Sequence, residues 1–315
     1  MRAKKPALGL VFAILAALGM FLIQIIVQNV ISFPYLLRII ADGGYDLYGE
    51  ELSERLLNGT NFLNVYMFVY GIAGSVAGYF VWKALRKDEI PLKDAAKNGR
   101  SILMGLGLGL AVQGLTALIF MIVFSFLPER ISAEYEMMMD RLTYADASGF
   151  DAFLGVLGTG ILVPIVEELF LRGIALNAAG RHMSKQAAVV VTAVIFALIH
   201  IGNMSNGVSL AGVLPQVITT LFAGLVLGWA AVTFRTLLVP VMIHIGVNFS
   251  AEMLTVFGGD MNATVYNIIA GSVGIILTVL VVIVYKKGLV KPTEAKSYGE
   301  LREMKLQAYR AQQEE

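Results

Sequence analysis

Cysteine is absent from this 315-residue chain. That absence excludes disulfides, thiolate metal sites and a cysteine nucleophile. Charge is scarce too: Asp, Glu, Lys and Arg make up 15% of residues, while 57% are hydrophobic. Soluble domains carry about 25% charged residues, and the mean hydropathy here is +0.73. A soluble globular reading therefore fails, and the composition is that of a polytopic membrane protein whose first partner is the lipid bilayer. The net charge of +1 hides a strong asymmetry between loops, and no nucleic-acid partner is expected. Histidine is limited to three residues, few enough to weigh singly.

What is abundant is apolar sequence in long runs. Eight of them are long enough to cross a bilayer, at 8–31, 62–82, 101–127, 153–174, 187–201, 214–234, 237–257 and 265–285. The expected fold is all-α, with about eight transmembrane helices. The fifth run is shorter than the roughly 20 residues a span needs, so it is expected to extend into its flanks. Arg2, Lys4 and Lys5 precede the first run in the manner of a signal peptide. That run is too long for one and no small-residue cleavage site comes after it, so a retained span is expected.

Loop charge orients the spans. Lys83, Arg86, Lys87, Lys93, Lys97 and Arg100 crowd the second connection, whereas the first and third are acidic, with Glu50, Glu51 and Glu54, then Glu129, Glu134 and Glu136. The positive-inside rule makes the second connection cytoplasmic. Tracing the chain through eight crossings leaves both termini cytoplasmic, in a multi-pass protein expected in the plasma membrane. Beyond 285 the sequence turns polar, and Ser297 and Glu300 have capping-box spacing ahead of a charged, Gln-rich segment. A short cytosolic helix is expected there.

Against this apolar background, Pro164-Ile165-Val166-Glu167-Glu168-Leu169-Phe170-Leu171-Arg172-Gly173 stands out. A charge at the centre of a membrane helix costs about 2.5–3.5 kcal/mol on insertion scales, and here three lie together. Glu168 and Arg172 are at i and i+4 with the acid first, the favoured order for an ion pair. Glu167 is turned about 100° away and needs another partner. Two of the histidines also lie inside apolar runs: His200 comes four residues after Phe196, and His244 precedes Asn248 by four. His182 falls in a turn with Arg181 and Lys185 and reads as a surface residue.

Helical rise places Glu167 and His200 at matched depth, each about 25 Å from the turn near Met183. His244 is only about 13 Å beyond Arg235. It matches only if the turn near Met183 protrudes or the helices tilt. Pro164 and Pro240 precede Glu167 and His244 by three and four residues, where each would free a carbonyl and bend its helix. Two His and one or two Glu could hold Zn²⁺ with a position open for water. Without an HExxH motif, Glu167, His200 and His244 could equally position water with no metal, the reading this pattern favours slightly.

These residues resemble the CAAX prenyl endopeptidase type II and bacteriocin-processing (CPBP, or Abi) intramembrane proteases. The resemblance rests on Glu167-Glu168-x-x-x-Arg172, then Phe196-x-x-x-His200, then His244-x-x-x-Asn248, in the family's order and on separate spans. It covers about 154–252 and implies a four-helix catalytic core over 151–257. Three spans with their loops would precede it at 1–150, with an eighth span at 258–287 and a polar tail at 288–315. It further implies that Glu167 activates water and that His200 helps hold that water or an ion. His244 and Asn248 would stabilise the oxyanion, with Glu168, Arg172 and Phe196 in support. The implied substrate is a membrane-associated peptide or protein, prenylated in some relatives. A transporter or channel would also place Glu, Arg and His inside the membrane, and a non-catalytic scaffold could keep the motifs. No pair of interrupted helices in matching halves supports transport.

The orientation is directly testable, because the chain contains no cysteine. A single cysteine placed at Lys93 is expected to react with a membrane-impermeant maleimide only after the cytoplasmic face is exposed. Labelling from outside intact cells would reverse the topology.

Overall fold

Large apolar side chains cover the outside of this molecule as well as its interior. Leu15, Leu18, Leu22 and Val30 on the first long helix are more than half exposed, as are Phe80, Leu103, Phe222 and Ile276 elsewhere. Such a surface is what a helical bundle presents to lipid tails.

The computed structural model describes residues 5–44, 49–58, 61–85, 99–143, 149–206, 209–257, 263–288 and 298–314. Among them every regular element is helical. In chain order these are α1 (Pro6–Ala41), α2 (Gly49–Asn58), α3 (Phe62–Leu85), α4 (Gly99–Phe124), α5 (Glu129–Thr143) and α6 (Gly149–Gly180). Then come α7 (Lys185–Ile199), α8 (Leu210–Phe234), α9 (Leu238–Phe257), α10 (Ala263–Lys286) and α11 (Tyr298–Glu314). Seven are long and apolar enough to span a membrane: α1, α3, α4, α6, α7 with its continuation, α8 and α10. The chain is a multi-pass integral membrane protein. The remaining expected span is α9, a 20-residue helix whose described apolar stretch, Leu238–Ser250, is shorter.

The short fifth run does extend into its flank, since a 3-10 turn over His200–Asn206 continues α7. Both acidic connections hold an unanticipated helix, α2 and α5. They are too polar to register as spans, and length and hydropathy carried the reading of the sequence. The polar tail is helical as expected, while Ser297 of its capping box lies outside the described residues.

The helix α6 departs most from the regular spacing that the sequence suggested. Its α-helical path is interrupted by π-helical turns at Val156–Leu162 and Leu169–Ala175, on either side of the Val163–Glu168 segment. Neighbouring helices grip this irregular rod closely. On α3, a methyl group on Gly74 would come within 2.8 Å of Val166, and one on Gly78 within 2.9 Å of Phe170. On the other side α4 meets α9 where a methyl group on Gly109 would run into the Ile243 carbonyl. Only hydrogen at these positions lets the backbones approach, the usual device of helix pairs in lipid.

The depth of His244 is settled by one contact. Leu237, at the start of α9, reaches the Gly173 position on α6, 3.1 Å from where its Cβ would be. The α8–α9 turn therefore sits level with Gly173, and the α6–α7 turn protrudes past it. From that shared level Glu167 is six residues back and His244 seven residues on. Pro240 does not bend α9, contrary to expectation. It is the third residue of the helix, where the N–H that proline lacks would have had no intrahelical partner. His182 is also less exposed than its loop position suggests, because its ring stacks on Phe12 of α1 at 5.5 Å.

At the end of the bundle away from that turn, α5 fastens the start of α8. Ser209 caps α8 by accepting from the Gly212 N–H at 3.3 Å. Glu134 in turn accepts from the Ser209 N–H at 3.0 Å and from its hydroxyl, and pairs with Arg130 at 2.9 Å. The hydroxyl and amide of Ser209, then Arg130, hold the Glu134 carboxyl below the ordinary glutamate range. A folded value below the unfolded one stabilises above about pH 4.3 and ceases to do so as pH falls through the lowered value. The thermal-stability difference between wild type and Glu134→Gln should thus be present at neutral pH and close as pH falls through the lowered value. A difference independent of pH would contradict this role.

Candidate active site

The ion pair that the sequence suggests is present despite the π-helical turn between its members. Arg172 Nη1 donates to Glu168 Oε1 at 2.6 Å, and both side chains are 0% exposed. Arg172 is held twice more, by the Gly224 carbonyl of α8 at 3.1 Å and by the Phe196 ring 4.9 Å beneath its guanidinium. A buried pair is tolerable only with such additional partners. Asn177 supports the same turn, donating to the Arg172 and Gly173 carbonyls at 3.1 and 2.9 Å. Nothing in the spacing of the sequence pointed to Asn177, because only the π-helical turn gives it that place.

Glu168 does more than balance Arg172. Its Oε1 also lies 2.9 Å from His244 Nδ1. An oxygen already accepting from a guanidinium is a carboxylate acceptor, so Nδ1 carries the hydrogen. This fixes which edge of the imidazole faces the second glutamate. His244 Nε2 then points to Glu167 Oε2 at 3.4 Å, a contact that is attractive only with a proton between them. With that proton, Glu167, Glu168, Arg172 and His244 together carry no net charge. Glu167 is 14% exposed where Glu168 is fully buried, so it is the acid that an outside molecule can reach.

Phe196 joins the histidines, meeting His200 edge-on at 5.1 Å and His244 at 5.5 Å. His200 donates Nδ1–H to the Phe196 carbonyl at 2.9 Å, which leaves its Nε2 as an acceptor. Asn248, one turn beyond His244, donates to the Thr159 carbonyl of α6 at 3.1 Å. Every residue singled out in the three motifs thus falls on α6, α7 or α9, or at the turn that continues α7, in one contiguous cluster. The contact that sequence spacing missed is Glu168 to His244, which joins different helices.

Residues 149–250 match the model of the family described as Type II CAAX prenyl endopeptidase Rce1-like. The chain carries an Rce1-like domain. It begins with α6 and ends within α9, so it contains all seven motif residues and omits the clamping helices α3 and α4. No curated protein and no solved structure matches the chain. A tetrahedral metal site in an Rce1-like domain would draw on Glu167, His200 and His244. Nδ1 of each histidine is committed to Glu168 or to the Phe196 carbonyl, which leaves Nε2 as the ligating nitrogen of both. Among the described residues no three His, Asp or Glu side chains converge as a metal-holding group, and His244 Nε2 instead faces Glu167.

Proposed function

We propose that this protein is an intramembrane endopeptidase that hydrolyses a peptide bond in a membrane-associated, for instance prenylated, protein or peptide. The observation that carries the reading is the Glu167–His244 contact, in which a reachable carboxylate faces an imidazole whose other nitrogen is anchored by a buried glutamate. Glu167 acts as general base: it takes one proton from water as the oxygen attacks the scissile carbonyl carbon. His200 Nε2 accepts from the same water and orients it. His244, giving up its long 3.4 Å contact, donates Nε2–H to the developing oxyanion, as does the second amide hydrogen of Asn248. Glu167 then returns its proton to the departing amine nitrogen, and the second proton of the water passes from the new carboxylic acid to that amine, so the products are a carboxylate-bearing and an ammonium-bearing peptide and the enzyme is unchanged. General base catalysis of this type contributes about 10²–10⁴-fold, and one oxyanion donor about 10²–10³-fold. The plasma membrane, with both termini cytoplasmic, is the setting we assign.

Purified protein in liposomes should cleave such a peptide, and should still do so after chelation. Glu167→Gln should lose about 10²–10⁴-fold in turnover at normal expression and melting temperature. Arg172→Leu should instead destabilise the fold by about 3–5 kcal/mol, because it strands a buried Glu168. Full activity in Glu167→Gln would remove the base. Flux of a solute without a product peptide would identify a transporter, and dependence on stoichiometric zinc would transfer water activation to a metal.

A further inference from the structure

The contact between Asn248 and Thr159 has a cause in the backbone of α6. Within the first π-helical segment the N–H of each residue reaches back five positions, and Val163 N–H accordingly donates to the Gly158 carbonyl. The next residue in that register is Pro164, whose acceptor would be Thr159. Proline has no N–H to give. At that place the donor is the Asn248 side chain, 3.1 Å from the Thr159 oxygen and 89 residues away in sequence.

We infer that Pro164 is a positioning residue for Asn248: by withholding its own N–H it makes the Thr159 carbonyl the anchor that sets the Asn248 amide. A carbonyl can only accept, so the anchor forces the amide nitrogen toward α6 and fixes which way round the group lies. One amide hydrogen is then spent on the anchor and the other is held at a set angle as a donor. An unanchored Asn could present its oxygen instead, which would repel an oxyanion. The π-helical turn contributes by bringing the register to Thr159; a regular α-helix would have directed position 164 to Gly160. The role of the second hydrogen rests on the peptidase reading above, whereas the anchor itself does not.

The test is Pro164→Ala, alone and combined with Asn248→Ala, read by melting temperature in detergent and by steady-state turnover. The new N–H should compete with the Asn248 amide for the Thr159 carbonyl and weaken its hold on Asn248. In melting temperature, Asn248→Ala should therefore cost clearly less in the Pro164→Ala background than in wild type, a coupling expected only of partners sharing one acceptor. This arm needs no substrate and stands whether or not the protein is a peptidase. In turnover, Pro164→Ala should lower kcat roughly 10- to 100-fold with KM little changed, the scale expected of a misplaced catalytic group. Additive melting-temperature losses, or a Pro164→Ala protein that fails to fold, would make Pro164 structural and overturn the inference. Coupled melting temperatures with kcat unchanged would leave the anchor standing but remove its catalytic purpose.

Discussion

One carboxylate oxygen, Glu168 Oε1, holds the centre of this protein together. It lies 2.6 Å from Arg172 and 2.9 Å from His244, and so ties α6 to α9 at the depth where polar groups are most costly. Removing two ions from water costs several kcal/mol each, and their attraction offsets this only when the remaining donors and acceptors are also satisfied. The Gly224 carbonyl and the Phe196 ring supply part of this for Arg172, while Arg172 Nε and Glu168 Oε2 meet no hydrogen-bond partner among the described residues. The product of this arrangement is an imidazole with a fixed tautomer, aimed at a second, reachable glutamate. The buried pair is thus a support on which the Glu167–His244 pair is mounted.

Such a support works only if the helices cannot slide. On one side Gly74 and Gly78 of α3 lock onto Val166 and Phe170, the residues flanking the two glutamates, and on the other Gly109 of α4 locks onto the α9 backbone at Ile243, next to His244. Both clamps come from outside the Rce1-like segment. The segment carries the polar cluster, and the helices before it set its geometry. The π-helical turns on either side of Glu167 and Glu168 add to this, since such turns recur at functional sites and shift the register of the helix beyond them.

The sequence made the components of the site legible, and their connections only in part. Charges that lipid would expel, at Glu167, Glu168 and Arg172, were conspicuous in an apolar run, and the i, i+4 rule paired two of them correctly. Seven of the eight expected spans are long and apolar enough in the described residues, and helical rise matched the depth of Glu167 and His200 while leaving that of His244 open. The link from Glu168 to His244 was out of reach because it joins residues 76 positions apart, and no local spacing encodes a contact between helices. Pro164 and Pro240 looked equivalent in sequence. One interrupts a register within α6 and the other sits harmlessly in the first turn of α9, a distinction that needed the helix boundaries. The polar helices α2 and α5 carry no hydropathy signal of a span, so nothing in the apolar pattern marks them.

The central claim is that Glu168 sets the tautomer of His244 and that a proton lies between His244 and Glu167. With only three histidines in the chain, ¹⁵N NMR of histidine-labelled protein in lipid, assigned by single substitutions, reads this directly. The account predicts that both ring nitrogens of His244 are hydrogen-bonded with Nδ1 protonated, and that Glu167→Gln alters the Nε2 signal while Nδ1 stays protonated. A neutral His244 with its hydrogen on Nε2 and a bare Nδ1 would contradict it, because Glu168 would then have no hydrogen to accept.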